Sequence, residues 1–370
     1  MKKCILIILC LALCGCKDYK DIENLTIVTA VAIDFAEDEE YEINLEVTKF
    51  TNDKTEVSII KANGVTFPEA IANAVKITGN DLFFSHVQAV IISQEVASSS
   101  IYPFLDFIYR NSDFRLNIPF LIAKDARASE ILEANSLIDD IAGIQIKKIV
   151  DSNQLISEVP SIPIYEFIDD LATQGKCGML PVMILNEDSN GVKTREISGL
   201  ALFDTECIYA FLDEKQTKTL GVLQNKAETG NVINEYVENT KTFELIFAES
   251  EIKPKLYDGN LTFEIFVQME LVLIEEPSQN GSEIFVKLDE IQKEITEAVH
   301  MDFDELIHFQ IKYAKADFLG LENMVYRKYN EFWQENNGDF CEIIANLDYS
   351  LKIDCEIVST GLVISPITIN

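Results

Sequence analysis

Cations, histidines and tryptophan are scarce in this chain. Its 370 residues carry 30 Lys and Arg against 62 Asp and Glu, a formal charge of −32, with three His and one Trp. The cation deficit excludes nucleic-acid binding through a basic stripe, because neutralising phosphates drives that affinity. It also leaves no polybasic patch to hold the body on anionic lipid headgroups. Of the histidines, His300 and His308 stand eight positions apart on a helical pattern. That is roughly 12 Å at 1.5 Å per residue, too far to share a metal ion. His86 follows an apolar stretch and reads as a core or sheet-edge residue. The sequence has no P-loop, G-x-G-x-x-G, H-E-x-x-H or G-x-S-x-G. It therefore offers no phosphate cradle, zinc helix or nucleophile elbow. No catalytic residue, cofactor site or metal site is assigned, and enzymatic activity is not expected. No apolar run reaches the ~20 residues that span a bilayer.

Cysteine is unevenly placed. Four of the eight lie at Cys4, Cys10, Cys14 and Cys16; the rest of the chain holds Cys177, Cys207, Cys341 and Cys355, none at C-x-x-C spacing. Zinc is therefore not expected. Four cysteines allow three pairings. Cys341 and Cys355 fall on two stretches that could pair as strands, so a disulfide there is one alternative and isolated buried thiols the other. A lone nucleophile at Cys177 would need a neighbouring base that spacing alone does not locate.

What is present begins with an address. Met1-Lys2-Lys3 is followed by ten apolar residues, Cys4 to Leu13, and then Cys14-Gly15-Cys16. The run is too short to span a bilayer and has the length of a signal-peptide core. Its end resembles a bacterial lipobox: an aliphatic residue three places before Cys16, and Gly15 directly before it. Cys16 is the expected lipidation site, its thiol carrying a diacylglycerol and its new amino group open to acylation, as by palmitate. Each buried methylene contributes about 0.8 kcal/mol, so two chains suffice for stable anchoring without a basic patch. Removal of residues 1–15 takes away Lys2 and Lys3 and leaves a body more acidic still.

The body alternates strands and helices. Leu25–Ile33 is β-branched and apolar, and Tyr41–Val47 alternates with period two, which predicts a hairpin with an acidic, solvated tip at 37–40. The tip lacks the spaced oxygens and the glycine of a calcium loop. Ser58–Ile60 suggests a strand. Thr66 with Glu69 predicts a helix start. Leu82–Ile92 reads as one long strand, Ile101–Tyr109 as a helix and Ile118–Ala123 as a strand. Helices follow from Ala126 to Ala172, broken near Asn135 and Pro160. Strands resume at Leu180–Leu185, Ile197–Phe203 and Cys207–Leu212, and Asp213 caps a helix to about Gln224. Strands near Phe243–Phe247 and Leu261–Ile274 precede a helical region, Glu283 to Glu335, broken near Asp302 and Gly320. There Ile291, Ile295, Val299, Phe303, Leu306, Phe309 and Ile311 form a stripe expected to face the core. Glu342–Leu347 and Leu351–Val358 close the chain as strands. The reading is α+β: three mixed α/β domains with antiparallel-rich sheets and packed helices. The expected divisions are a lipoprotein signal peptide (1–15), an N-terminal α+β domain (16–195), a small middle domain (196–235) and a C-terminal α+β domain (236–370).

Several motifs stand in a recognisable order. Cys16 and Asp18 precede the strand Leu25-Thr26-Ile27-Val28, which ends in Ile33-Asp34. Phe84-Ser85-His86 leads into Val90-Ile91-Ile92. Gly199-Leu200-Ala201-Leu202-Phe203 precedes Phe211-Leu212-Asp213. Asp317-Phe318-Leu319-Gly320 precedes Tyr326-Arg327-Lys328-Tyr329, Trp333 and Gly361-Leu362. Together with the lipobox this set resembles the Ger(x)C family of spore germination proteins, the lipoprotein C subunits of nutrient germinant receptors. The chain departs from it in Lys17, where Trp is frequent, and in Asn330, where Pro is usual. The resemblance implies three α+β domains, no enzymatic activity, a place on the outer face of the spore inner membrane, and A-type and B-type membrane subunits as partners. Contact with a small-molecule germinant stays open. A solute-binding lipoprotein of a transporter is the alternative, and it would need two similar lobes. The docking surface is expected to be the least acidic one, and the stretch Tyr313–Lys328, with Lys312, Lys315, Arg327 and Lys328, is the candidate for it.

Overall fold

In this computed structural model, residues 25–37, 39–50, 55–136, 138–155, 159–227, 230–234, 241–275, 288–313, 315 and 317–360 are described. Cys16 and Gly361-Leu362 lie outside them.

The β-branched run and the alternating run form the expected hairpin. Strand β1 (Leu25–Phe35) pairs antiparallel with β2 (Tyr41–Phe50), placing Val31 opposite Leu45 and Ile33 opposite Ile43. β3 (Thr55–Gly64) adds to the far side of β2. On the near side of β1 the sheet turns parallel, through β5 (Ala89–Ser93), β6 (Phe120–Ala123) and β7 (Gly178–Glu187). It closes antiparallel with β8 (Lys193–Asp204) and β9 (Cys207–Leu212). A short β4 (Asp81–Phe83) lies beside the start of β1 and completes nine strands. The parallel strands β5 and β6 are wholly buried, as strands covered on both faces are.

Helices cover this sheet. α1 (Phe67–Thr78) starts at Thr66, whose hydroxyl accepts the Glu69 N–H. α2 (Gln94–Ser99) and α3 (Tyr102–Arg110) connect β5 to β6. α4 (Ala128–Glu133), α5 (Ala142–Leu155) and α6 (Ile164–Ala172) connect β6 to β7. A continuous series of ring contacts, Tyr41–Phe67–Phe104–Phe120–Phe167–Phe203, runs through the core they enclose.

The second sheet has four strands in the order β10 (Gly230–Asn234), β11 (Lys241–Tyr257), β12 (Asn260–Glu275) and β13 (Asp348–Ser359). Phe263, Ile265, Val267, Met269, Leu271 and Leu273 alternate inward along β12. The long helix α8 (Leu288–Lys312) packs along β13. Its predicted stripe faces the core: Ile291, Ile295, Val299, Phe303 and Leu306 are buried, and Phe309 and Ile311 pack at its margin. α9 (Leu321–Lys328), α10 (Asn330–Asn336) and α11 (Phe340–Ala345) lead back to β13. α7 (Glu214–Leu223) packs on both β8 and β11 and so joins the two sheets. Its start is a capping box between Asp213 and Gln216, as the sequence indicates.

The architecture is mixed α and β, as expected, and several details differ. Leu82–Ile92 is not one strand: a turn at 84–88 separates β4 from β5, with Val87 N–H bonded to Phe84 O. α8 runs unbroken through Asp302. Glu342–Leu347 is largely helical, in α11, so Cys341 and Cys355 do not face each other across paired strands; all four cysteines of the described body are free. The division at 195/196 falls inside β8, which hydrogen-bonds along β7 on one side and β9 on the other. The middle segment thus extends the first sheet as far as Leu212, because hairpins satisfy their backbone groups on the neighbouring edge, while its last strand, β10, pairs in the second sheet.

Candidate functional site at the junction of the two sheets

Loops from both sheets meet between β7, α7 and the 317–320 turn. Gly175, in the loop before β7, has φ +68°, and a Cβ there would stand 2.8 Å from the Asn323 backbone N. This close approach lets Asn323 Nδ2 donate to Gln174 O (2.9 Å) and Gln174 Nε2 donate to Glu322 Oε1 (3.0 Å). Trp333 Nε1 donates to the same carboxylate oxygen at 2.9 Å. Gln224 Nε2, at the end of α7, donates to Phe318 O (3.1 Å), and Ser250 Oγ of β11 donates to Leu223 O (2.7 Å). Lys226–Glu166 (3.2 Å) and Lys215–Asp302 (2.8 Å) are ion pairs spanning different elements.

Asp317 lies at the centre of this junction and is 6% exposed. Its Oδ2 accepts the Glu322 N–H at 2.8 Å, at the start of α9. Its Oδ1 is buried without a hydrogen-bond partner. Burial raises its pKa to about 7, against the lowering effect of the backbone N–H groups of Glu322, Leu321 and Gly320. A cavity of about 490 Å³ opens beside it, walled by Met179, Leu223, Ile252, Phe318 and Met324. Cys177 also borders this cavity. Burial, reinforced by the Asp317, Asp170 and Asp204 charges, pushes its thiol far up. The thiol stays protonated at neutral pH, which makes it a poor nucleophile.

The other sequence candidates are dispersed. His86 is exposed in the turn before β5 rather than in the core or on a strand. His300 and His308 are exposed on α8. His308 Nδ1 lies 3.3 Å from Asp304 Oδ2, and Tyr349 Oη donates to Asp304 Oδ1. Among the described residues no group of three His, Cys, Asp or Glu could hold a metal ion. Lys312, Lys315, Arg327 and Lys328 are all exposed around the same junction. Lys328 Nζ donates to Pro254 O (3.0 Å) and lies over the Tyr329 ring, and Lys312 lies over Tyr313.

Pattern reading missed a set of buried charges under β1 and β2. Asp34 accepts the N–H groups of Ala128 (2.7 Å) and Ser129 (2.9 Å) at the start of α4. Glu46 accepts those of Ala142 (2.6 Å) and Gly143 (2.9 Å) at the start of α5. Arg195 donates to Ile131 O, Leu132 O and Ala134 O at the end of α4. The acidic ends of the hairpin strands gave a signal at Asp34 alone, as the residue closing an apolar strand.

Two family models match nearly the whole chain. One, described as the spore germination protein N-terminal domain, matches residues 18–185; the other, described as spore germination B3/GerAC like, C-terminal, matches residues 198–361. The seam between them falls in the β7–β8 hairpin. Spore germination protein KC of Bacillus subtilis is 25% identical, over 99% of this chain and 98% of its own. Spore germination protein B3 of the same organism is 22% identical, over 95% and 96%. A crystal structure of the GerBC protein shares the fold, with a TM-score of 0.58 at 16% identity, covering 89% of this chain and 96% of that one.

Proposed function

We propose, from the premise that this chain belongs to the GerAC family of spore germination proteins, that it is a non-enzymatic, lipid-anchored subunit of a nutrient germinant receptor. The observation that carries this reading is end-to-end: the two family models together take in most of the chain from residue 18 onward. The lipobox reading places Cys16 just ahead of that match. In this reading Cys16 holds the body at the outer face of the spore inner membrane, and the body docks to the A-type and B-type membrane subunits. The exposed cations Lys312, Lys315, Arg327 and Lys328 are the proposed docking edge, because four exposed cations lie within seventeen residues of a chain with a net charge of −32. A transporter's solute-binding lipoprotein is less well supported: a nine-stranded and a four-stranded sheet do not make two similar lobes.

The test is Cys16→Ala in sporulating cells. The expected outcome is loss of the protein from spore inner-membrane fractions together with a weakened nutrient response. Full retention in the membrane fraction would refute the anchor. Charge reversal at Lys315 and Arg327 should reduce co-purification with the membrane subunits while leaving anchoring intact; unchanged co-purification would remove that edge from the interface.

A further inference from the structure

One face of the second sheet has no helix against it among the described residues. The helices meet its inward side: Ser250 Oγ of β11 donates to Leu223 O of α7, and Tyr349 Oη of β13 donates to Asp304 of α8. The strand register is broken three times, all at the end of the sheet where β10 joins. Each break leaves one residue unpaired, and each of the three is apolar: Ile246, Ile274 and Val358. Each follows a residue turned to the core, Leu245, Leu273 or Ile357. Side chains alternate along a strand, so the three point to the open face. Ile246 and Val358 are 43% exposed, Ile274 is 53% exposed, and Phe247 beside the first break is 41% exposed. A bulge re-aims the side chains around it and is a built feature of a sheet. Carboxylates border this patch. Glu270 has Phe247 opposite it on one side and Glu356 opposite it on the other, and Gln268 lies between Glu249 and Asp354. Like charges directly opposite each other repel. The cations of the same face are engaged elsewhere: Lys352 lies over the Phe266 ring, Lys253 pairs with Glu251 and Lys255 with Glu264. Among the described residues the side chains of Glu249, Glu270, Asp354 and Glu356 have neither an ion pair nor a hydrogen bond.

We propose that this face docks a basic amphipathic helix of another protein, its apolar stripe on Ile246, Phe247, Ile274 and Val358 and its Lys or Arg side chains against Glu270 and Glu356. An apolar sheet face is normally buried against helices, and burial of the four exposed side chains supplies the affinity. The cationic flank relieves the like-charge pair. The carboxylates select this occupant. A second copy would bring its own carboxylates to the same place, and an anionic lipid surface would be repelled. Residues 361–370, which follow Val358 closely in the chain, contain no Lys or Arg. The surface shares no residue with the cationic edge at Lys312–Lys328. It goes beyond the receptor reading and needs neither the anchor nor the membrane subunits.

The test is fluorescence anisotropy of a labelled model helix, about five turns long, with leucine at i, i+3, i+4 and i+7 and lysine beside them. It is titrated with the full chain in non-ionic detergent micelles at near-physiological salt, where uptake of the peptide by micelles is the same for every variant. Saturable binding is expected, and a peptide of the same composition scrambled to lose its stripe should bind at least tenfold more weakly. That comparison uses the unmodified protein and does not depend on how any variant folds. Glu270→Lys with Glu356→Lys, and separately Phe247→Ser with Val358→Ser, should each weaken binding at least tenfold. Glu95→Lys with Glu133→Lys changes the net charge equally at exposed positions on the first sheet's helices and should leave binding within twofold. Absence of saturable binding, equal binding of the scrambled peptide, or equal weakening by the Glu95 and Glu133 pair would each overturn the proposal. Binding that appears only after removal of residues 361–370 would assign the patch to that segment instead. A dimer of the full chain that Phe247→Ser with Val358→Ser dissociates would assign it to a second copy, and either result also overturns the proposal.

Discussion

A Cβ at Gly199 would stand 2.0 Å from the Leu212 carbonyl oxygen, and the backbone there has φ +76°. The motif Gly199-Leu200-Ala201-Leu202-Phe203 and its companion Phe211-Leu212-Asp213 are therefore two halves of one contact, in which β8 passes β9 too closely for any side chain. Gly199→Ala is expected to cost about 2–5 kcal/mol, from the left-handed backbone and from overpacking together. Urea denaturation should show a lowered midpoint with the slope unchanged; an unaltered midpoint would mean that β8 can shift freely. Asp34 behaves likewise. Its place after Ile33 was visible in the chain, but its role was not. Capping α4 requires a helix start 94 residues away, and no local pattern encodes that meeting.

At the scale of elements, the helix α4 is held by charges at both ends: Asp34 accepts from its first N–H groups, and Arg195 donates to its last carbonyls. Each charge faces the end of the helix dipole that favours it. Arg195→Met is expected to destabilise the fold by about 3–5 kcal/mol, because it strips buried carbonyls of their donor and removes a buried cation near Glu46. Hydrogen exchange should show the α4 amides losing protection first; uniform loss across the sheet would argue against so local a role. The elements read correctly were those with strong period or caps, such as the β1–β2 hairpin, the Thr66 helix, the Asp213 helix and the α8 stripe. The misreadings have separate local causes. Glu342–Leu347 is a short apolar run, and periodicity cannot separate helix from strand at that length. Leu82–Ile92 is interrupted by a turn with neither Gly nor Pro to mark it. The full length of β11 was hidden by Pro254, which pairs with Phe263 where β11 has β12 on one side and no pairing with β10 on the other. The junction around Asp317 was legible as a motif and illegible as a site. Its cavity is walled by residues from Glu166 to Met324, brought together by the packing of two sheets.

At the scale of the whole molecule, Asp317 makes the stability of the fold depend on pH. Burial holds its carboxyl at about 7, above the ordinary aspartate range. Below about pH 4 both the folded and the unfolded chain carry the proton. Between about 4 and 7 the unfolded chain has released it and the folded chain still holds it, so stability falls as pH rises through this window. Above 7 the two states again bind equally and the curve levels. Glu42 acts elsewhere. Burial pushes it up, but hydrogen bonds from Lys61 and Asn44 and the Arg127 charge outweigh that and leave it below the usual glutamate range. Its contribution is therefore lost only in more acid solution. Cys355, pushed up to about 12 by burial, titrates far above the window. The unfolding free energy of the full chain is thus expected to drop by about 2–3 kcal/mol between pH 5 and pH 7.5. The net charge of −32 contributes a background of self-repulsion that salt screens. Asp317→Asn keeps that background and removes the titrating group, so its stability should be nearly flat over the same range at equal ionic strength. Parallel curves for the two proteins would show that Asp317 is ionised throughout and that the junction is indifferent to its proton.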